Sequence, residues 1–313
     1  MALRITKAAE PIHVDRLKMV VYGQPGCGKS SIAFTADAPL LLDFDGGAYR
    51  AANRKDIVQI GQWSDAAAIT KEDLDGYKTV IIDTAGRALD MLTIDIGKSN
   101  PKAMNGGALT LQGYGVLKAR FGAYLNLLNS FGLDVVLIAH MEEKQRGDEI
   151  IERIDVQGGS KGEIYKAADA MGRVTIENGQ RWLKFSPTDA QFGKNPGQLD
   201  PLLVPAPTKP EFENFLGRAI ATTKAKLNEL NAAQVAAAEK QRAFREKLDS
   251  AKTAEAINAL IPEAKEGGET LVALLHARAT KELGLVPDKA TKAYAAAPAE
   301  QPKSDETKQA EAA

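Results

Sequence analysis

Short apolar runs that stop at glycines, acids or a histidine recur through the first two thirds of the chain, separated by stretches with helical spacing. The first run, residues 17–22, breaks at Gly23 and leads through a glycine-rich stretch into a helix expected from Ser30 to about Asp37. Residues 39–47 form a second run that ends in Asp43, Asp45 and the pair Gly46-Gly47. A third, residues 78–84, follows the turn-like Asp75-Gly76 and ends at Asp83, and a fourth, residues 133–140, ends at His140. Helical patterns at about 88–96 and 114–129 lie between them. Runs that are apolar on both faces predict buried parallel strands, and their alternation with helices predicts an α/β sheet with right-handed crossovers. The carboxyl ends of such strands share one edge, where ligands bind.

Beyond this core, two strand-like runs, 173–176 and 181–185, flank Glu177-Asn178-Gly179-Gln180, whose Asn-Gly pair predicts a hairpin closing the sheet. A proline-rich stretch over 187–210 leads out of it. Residues 211–247, 253–260 and 269–283 read as helices, with Gly267-Gly268 as a break. From about residue 286 the sequence is rich in Ala, Pro, Lys, Glu and Gln and reads as disordered. The expected organisation is an N-terminal arm at 1–16, an α/β domain at 17–205, a small helical C-terminal region at 206–285 and a disordered tail at 286–313.

Composition narrows this little. A length of 313 residues suits one large domain and an appendage. A net charge of −1 and a pI near 6.4 provide no global field to attract nucleic acid, so such a partner needs local patches. The single cysteine, Cys27, rules out an intramolecular disulfide and a cysteine zinc site. The absence of a long apolar run and of a leader-like N-terminus points to a soluble cytoplasmic protein.

The chemistry centres on Gly23-Gln24-Pro25-Gly26-Cys27-Gly28-Lys29-Ser30-Ser31, which meets the pattern Gly-x-x-x-x-Gly-Lys-Ser in full. Its backbone N–H groups and the following helix N-terminus suit a triphosphate. Lys29 supplies a point charge at the β- and γ-phosphates, and the Ser30 hydroxyl is a hard ligand for Mg²⁺. Asp83 is placed for the second metal-side oxygen. Thr84 follows it where many ATPases carry a glutamate, so the base is sought elsewhere. Asp45 is the candidate, while Asp43 points the other way along an extended segment. His140 is a candidate γ-phosphate sensor.

Residues 98–120 contain Lys98, Lys102, Lys118 and Arg120 without an acid, together with Tyr114. A mobile basic loop of this kind suits a nucleic-acid backbone with one stacked base. Residues 141–157 hold six acids against Lys144, Arg146 and Arg153, which argues against a simple phosphate cradle. Lys161, Arg173, Lys184 and Lys194 are candidates for a basic group reaching the γ-phosphate.

The segments GQPGCGKS, LLLDFDGG, TVIIDTAGRAL, VVLIAH, VQGGSKGEIYKAADAMGRV and WLKFSPT together resemble phage-type RecA-like P-loop ATPases of the AAA superfamily, linked with recombination and single-strand annealing. The resemblance covers about 17–205. It implies a RecA-like core with a mostly parallel sheet flanked by helices, ATP and Mg²⁺ as cofactors, side-by-side homo-oligomers, and single-stranded DNA as partner. A replication or recombination partner would be held through the C-terminal region, and the location would be the host cytoplasm if the chain is phage-encoded. Under it Gly23, Gly28, Lys29 and Ser30 match the phosphate site, Asp83 the metal-side acid, Asp45 the catalytic glutamate and His140 the polar sensor. Other classes fit less of the chain. A nucleotide-binding adaptor with little hydrolysis needs only the phosphate loop and a helical tail. A GTPase switch is suggested by Asp83-Thr84-Ala85-Gly86, but the base-selecting motif fits only Thr70-Lys71-Glu72-Asp73, which precedes it. A small-molecule kinase would want an arginine-rich lid.

Overall fold

The computed structural model describes residues 6–7, 10–147, 149–156, 160–288 and 291–296, with only the backbone at 146, 149 and 161. The chain divides into two compact units, one of residues 12–231 and one formed by 232–313 with 1–11.

In the first unit the apolar runs become strands β1 (Lys18–Gly23), β2 (Pro39–Asp43), β4 (Thr79–Asp83) and β7 (Asp134–Arg146). A short exposed strand that the apolar pattern does not reveal, β3 (Asp56–Gln59), lies at one edge. The hairpin forms as β9 (Ala170–Glu177) and β10 (Gln180–Lys184), and its turn places Asn178 and Gly179 at φ 51° and 75°, as a tight two-residue turn requires. With β8 (Glu149–Asp155) and β11 (Leu202–Leu203), the described residues give a nine-stranded sheet ordered β11-β10-β9-β1-β7-β4-β2-β3, in which β8 pairs with β7. The strands from β9 to β3 are parallel; β8, β10 and β11 pair antiparallel.

Both faces of this sheet are covered, which is why its strands read as continuous apolar runs. Along β1, Val20 and Tyr22 join one core with α3 (Ala85–Ser99) and α4 (Leu111–Ser130). Met19 and Val21 join the other with α1 (Lys29–Ala33) and with Phe215, Leu216, Ala219 and Ile220 of α6 (Phe215–Ser250). The second core therefore recruits the start of the long helix, and the first unit ends at Asn231 rather than at the expected 205, because the sheet's second face needs an apolar cover. The arm expected at 1–16 is tied to this helix over residues 12–14. Ile12 N–H donates to Asn231 Oδ1 at 3.0 Å, and Val14 exchanges hydrogen bonds with Asn228 at 2.7 and 3.1 Å.

Smaller elements complete the first unit. They are α2 (Trp63–Ala67), the two-residue strands β5 (Met104–Asn105) and β6 (Ala108–Leu109), and α5 (Ser160–Ala167).

The second unit packs Phe244 and Leu248 of the same long helix with Ile257, Ala264, Leu271 and Leu275. These come from α7 (Ala254–Ala259), α8 (Ile261–Glu266) and α9 (Glu269–Ala277). The expectation of disorder from 286 onward is corrected where residues are described: β12 (Leu285–Asp288) pairs with β13 (Ala293–Ala296). Tyr294 packs on this core and exchanges backbone hydrogen bonds with the Asn258 amide at 2.7 and 2.9 Å, an apolar anchor that composition hides. Residues 297–313 lie outside the described residues.

Candidate functional site

The parallel register brings three strand ends to one edge. Gly23 pairs with His140, while Asp83 pairs with Ile138 on one side and Asp43 on the other. The loop after β1 rises above them. At Gly23 a Cβ would sit 2.7 Å from the Val174 carbonyl oxygen, so only glycine lets β1 and β9 pass here. Gly26 and Gly28 hold φ of 75° and 87°, the left-handed conformation that lets successive N–H groups turn inward ahead of α1. Gln24 donates through Nε2 to Glu143 Oε1 at 2.7 Å, and the Ser31 carbonyl accepts from Asn53 Nδ2 at 3.0 Å. Pro25 is exposed at the tip of the loop.

Lys29 is buried, with Nζ donating to the Gly23 and Gln24 carbonyls at 3.0 and 2.8 Å and lying 3.9 Å from the Cys27 Sγ. Burial lowers its pKa, opposed by the nearby Cys27 and Asp83. The His140 Nδ1 is 3.5 Å from the same ammonium. Burial, then the Lys29 charge, holds its pKa below the ordinary histidine value, which favours neutral imidazole.

The Ser30 hydroxyl donates to Asp83 Oδ2 at 2.6 Å. Burial raises the Asp83 pKa to about 6, with the Ser30 hydrogen bond opposing and the charges of Asp43 and Asp45 reinforcing the shift. A hydroxyl and an acid at this distance, with two more carboxylates near, form a hard-oxygen donor set that a divalent cation would relieve electrostatically. The described residues contain no cluster of three or more His, Cys, Asp or Glu able to hold a metal alone. That sparse set fits Mg²⁺, which takes one or two protein oxygens and completes its shell with substrate phosphates and water.

The expectation that strand alternation separates Asp43 from Asp45 is corrected: residues two apart share a face of an extended strand, and these two diverge because β2 ends at Asp43 and the chain turns after it, with Gly46 at φ 66°. Asp43 is buried and accepts from Gly47 and Ala48 N–H, both at 3.1 Å, which folds the loop back. Asp45 opens onto a cavity of about 260 Å³ shared with Gly26, Lys29, Ser30, Asp83 and His140. It is not a solitary carboxylate, since the Arg87 Nε lies 3.4 Å and the Arg50 Nη2 3.6 Å from its oxygens. Both arginines escape sequence reading. Arg87 lies one turn into the helix that Thr84 caps, four residues after Asp83, and that spacing was the available signal. Arg50 comes from the turn of 3₁₀ helix at Ala48–Arg50 that Asp43 shapes.

The basic segment 98–120 is corrected. It is not a mobile loop but the end of α3, a short β5–β6 hairpin and the first half of α4. Helical periodicity there is diluted by glycines, while the third dimension supplies the acids that the segment lacks. Arg120 pairs with Asp95 at 2.7 Å, and Lys118 lies 3.8 Å from Glu163. Tyr114 is partly buried against the core. Lys98 and Lys102 have no acidic partner among the described residues.

The loop expected after His140 is corrected too: β7 runs on to Arg146 and pairs with β8 as a long hairpin. Two of its cations are engaged, with Lys144 at 3.5 Å from Glu142 and the Arg153 guanidinium donating to the Ala190 carbonyl at 2.9 Å and stacking 4.4 Å from the Phe192 ring, while the Arg146 side chain lies outside the described residues. Three of the candidate γ-phosphate cations serve the fold. Arg173 pairs with Glu152, Lys184 with Glu177, and Lys194 donates to the Ala168 carbonyl at 2.7 Å. The Lys161 side chain lies outside the described residues.

A family profile described as "AAA domain" matches residues 15–196. No curated protein matches the chain. Among solved structures, an isolated ATPase domain is 11% identical with a TM-score of 0.33, covering 54% of this chain and 76% of that one. An ATPase from the type III secretion system of pathogenic bacteria is 11% identical with a TM-score of 0.35, covering 51% of each chain. A KaiC-like protein from Pyrococcus horikoshii is 11% identical with a TM-score of 0.30, covering 53% of this chain and 76% of that one.

Proposed function

The chain belongs to the AAA domain family through residues 15–196, and from that premise we propose that it is a Mg²⁺-dependent ATPase that works on single-stranded DNA. The observation that supports this best is the convergence on one small cavity of Lys29, Ser30, Asp83, Asp45 and His140 beneath a glycine-shaped loop. In this reading the loop N–H groups and Lys29 hold the phosphates, and Ser30 with Asp83 holds Mg²⁺, which would neutralise charge on the β- and γ-oxygens. Asp45 orients the attacking water, and His140, neutral and beside Lys29, senses the γ-phosphate. Lys98 and Lys102 are the cations left to meet a DNA backbone, and side-by-side copies of the chain would act together in recombination or annealing.

A second reading has its own observation. With Thr84 after Asp83 and with Asp45 engaged by Arg50 and Arg87, the site is poor in free base, which favours an adaptor that binds ATP and hydrolyses it little. One measurement separates the two: ATP turnover by the whole chain with and without single-stranded DNA. Turnover that rises with DNA and vanishes in Lys29→Ala supports the ATPase. Tight ATP binding with no turnover under either condition supports the adaptor.

A further inference from the structure

A second space lies between α4 and α5, on the sheet face that α3 and α4 cover and opposite the face that carries α1. It measures about 270 Å³, and none of its lining residues belongs to the phosphate cavity. Its floor is apolar, made by the buried side chains of Leu89, Phe121, Leu125 and Ile164. A volume just under the roughly 300–1,000 Å³ of drug-sized ligand sites has room for one ring with a head group and falls short of a nucleotide.

The walls are polar and unevenly paired. Ser160 is 2% exposed and its Oγ has no hydrogen-bond partner, a costly state for a buried hydroxyl unless something in the cavity completes it. Lys18 Nζ donates to the Asn126 amide oxygen at 2.8 Å and has no acidic partner among the described residues, while the Asp169 carboxylate takes the Lys18 backbone N–H at 2.7 Å. Lys118 and Lys166 share one carboxylate, Glu163, with Nζ–O distances of 3.8 and 3.4 Å. Three ammoniums against one carboxylate leave a surplus of two positive charges beside an apolar floor. A cluster of water suits such walls but not such a floor.

We propose that this space is a second binding site, for a small organic phosphomonoester, with a dianionic head group held by Lys18, Lys166 and the Ser160 hydroxyl and a ring or short chain lying on Phe121 and Leu125. A phosphomonoester carries about −1.5 to −2 charges at pH 7 and three strong acceptor oxygens, which matches both the surplus charge and the unused hydroxyl donor. Lysine ammoniums on flexible stems serve such a head group as point charges. The site is separate from the phosphate loop and stands whether or not that loop holds ATP.

The test titrates phenyl phosphate, inorganic phosphate and benzoate into the whole chain and into Lys18→Ala, Lys166→Ala, Ser160→Ala and Lys29→Ala, with melting temperatures to verify folding. Phenyl phosphate should bind at least about tenfold more tightly than inorganic phosphate, which lacks the ring, and than benzoate, which lacks the second charge. Lys18→Ala and Lys166→Ala each remove a charge-assisted contact and should weaken it about tenfold. Ser160→Ala should weaken it about threefold without lowering the melting temperature, since it leaves no buried hydroxyl unsatisfied. Lys29→Ala should bind the probe as the parent does. No saturable binding of phenyl phosphate leaves the space to water and overturns the site, and so does parental affinity in folded Lys18→Ala and Lys166→Ala. Binding lost in Lys29→Ala places the probe in the phosphate loop and overturns it too. Inorganic phosphate or benzoate binding as tightly as phenyl phosphate overturns the assigned ligand class.

Discussion

Lys29 is held by two carbonyls of its own loop and is buried, so its ammonium has traded water for the phosphate-binding turn. Replacing it with Ala removes charge-assisted hydrogen bonds to phosphate, and ATP binding should weaken by about ten- to a hundredfold in a titration. Asp83 makes the opposite case. Its pKa, raised to about 6 mainly by burial, means that the folded chain holds its proton more tightly than the unfolded one. Its contribution to metal-free stability is therefore fully present below the ordinary aspartate pKa and is lost as pH rises through about 6. Asp83→Asn should flatten that dependence and, at neutral pH without metal, stabilise by up to ~3 kcal/mol in chemical denaturation. Turnover with Mg²⁺ should fall in the same variant, and full activity would move the metal role to another residue. For Asp45→Asn, ATP binding should persist while kcat drops by on the order of a hundredfold, the usual worth of a positioned base. A parental kcat would make the Arg50–Asp45–Arg87 cluster purely architectural.

Among the elements, α3 and α4 show how charge in sequence differs from charge in space. The segment 98–120 is acid-free, yet Asp95 one turn earlier and Glu163 on α5 neutralise Arg120 and Lys118. The two cations that stay unpaired among the described residues, Lys98 and Lys102, sit at the end of α3 and in the turn that follows. If they meet DNA phosphates, changing both to Ala should weaken binding alike on all sequences and flatten the salt slope by roughly one to one and a half units, at about 0.7 per contact on single strands. A double variant with the parental slope would make them solvent-facing charges only. The β7–β8 hairpin carries the strand that ends at the site beyond His140, and its Glu143 holds Gln24 of the phosphate loop. Alternation along β7 continues past the histidine in polar residues, which is why the apolar pattern stops short of the real strand end.

For the whole molecule, two of the three apolar cores lie entirely within residues 12–231 and the third within 232–313. A chain cut to 12–231 keeps every residue of the phosphate cavity and of the sheet, so it should fold and bind ATP with the parental affinity. Loss of cooperative unfolding in that shortened chain would show that the first unit depends on the second. Among the described residues no helix is long and apolar enough to cross a membrane.

The chain's own order of residues determined the phosphate loop, the four central strands and the Asn-Gly hairpin, because each rests on local chemistry: backbone sterics at glycine, apolar runs buried on both faces, and a positive-φ turn. Asp83 and Asp45 were legible as acids at strand ends for the same reason, whereas the separation of Asp43 from Asp45 comes from the turn that follows β2. Tertiary structure alone decided the rest. Which acids meet Lys118 and Arg120, that Arg50 and Arg87 converge on Asp45, and that the start of α6 seals the sheet all depend on residues far apart in the chain. Charge pairing and burial are properties of neighbours in space, and a sequence pattern fixes the face on which a side chain stands but not what the fold brings to it.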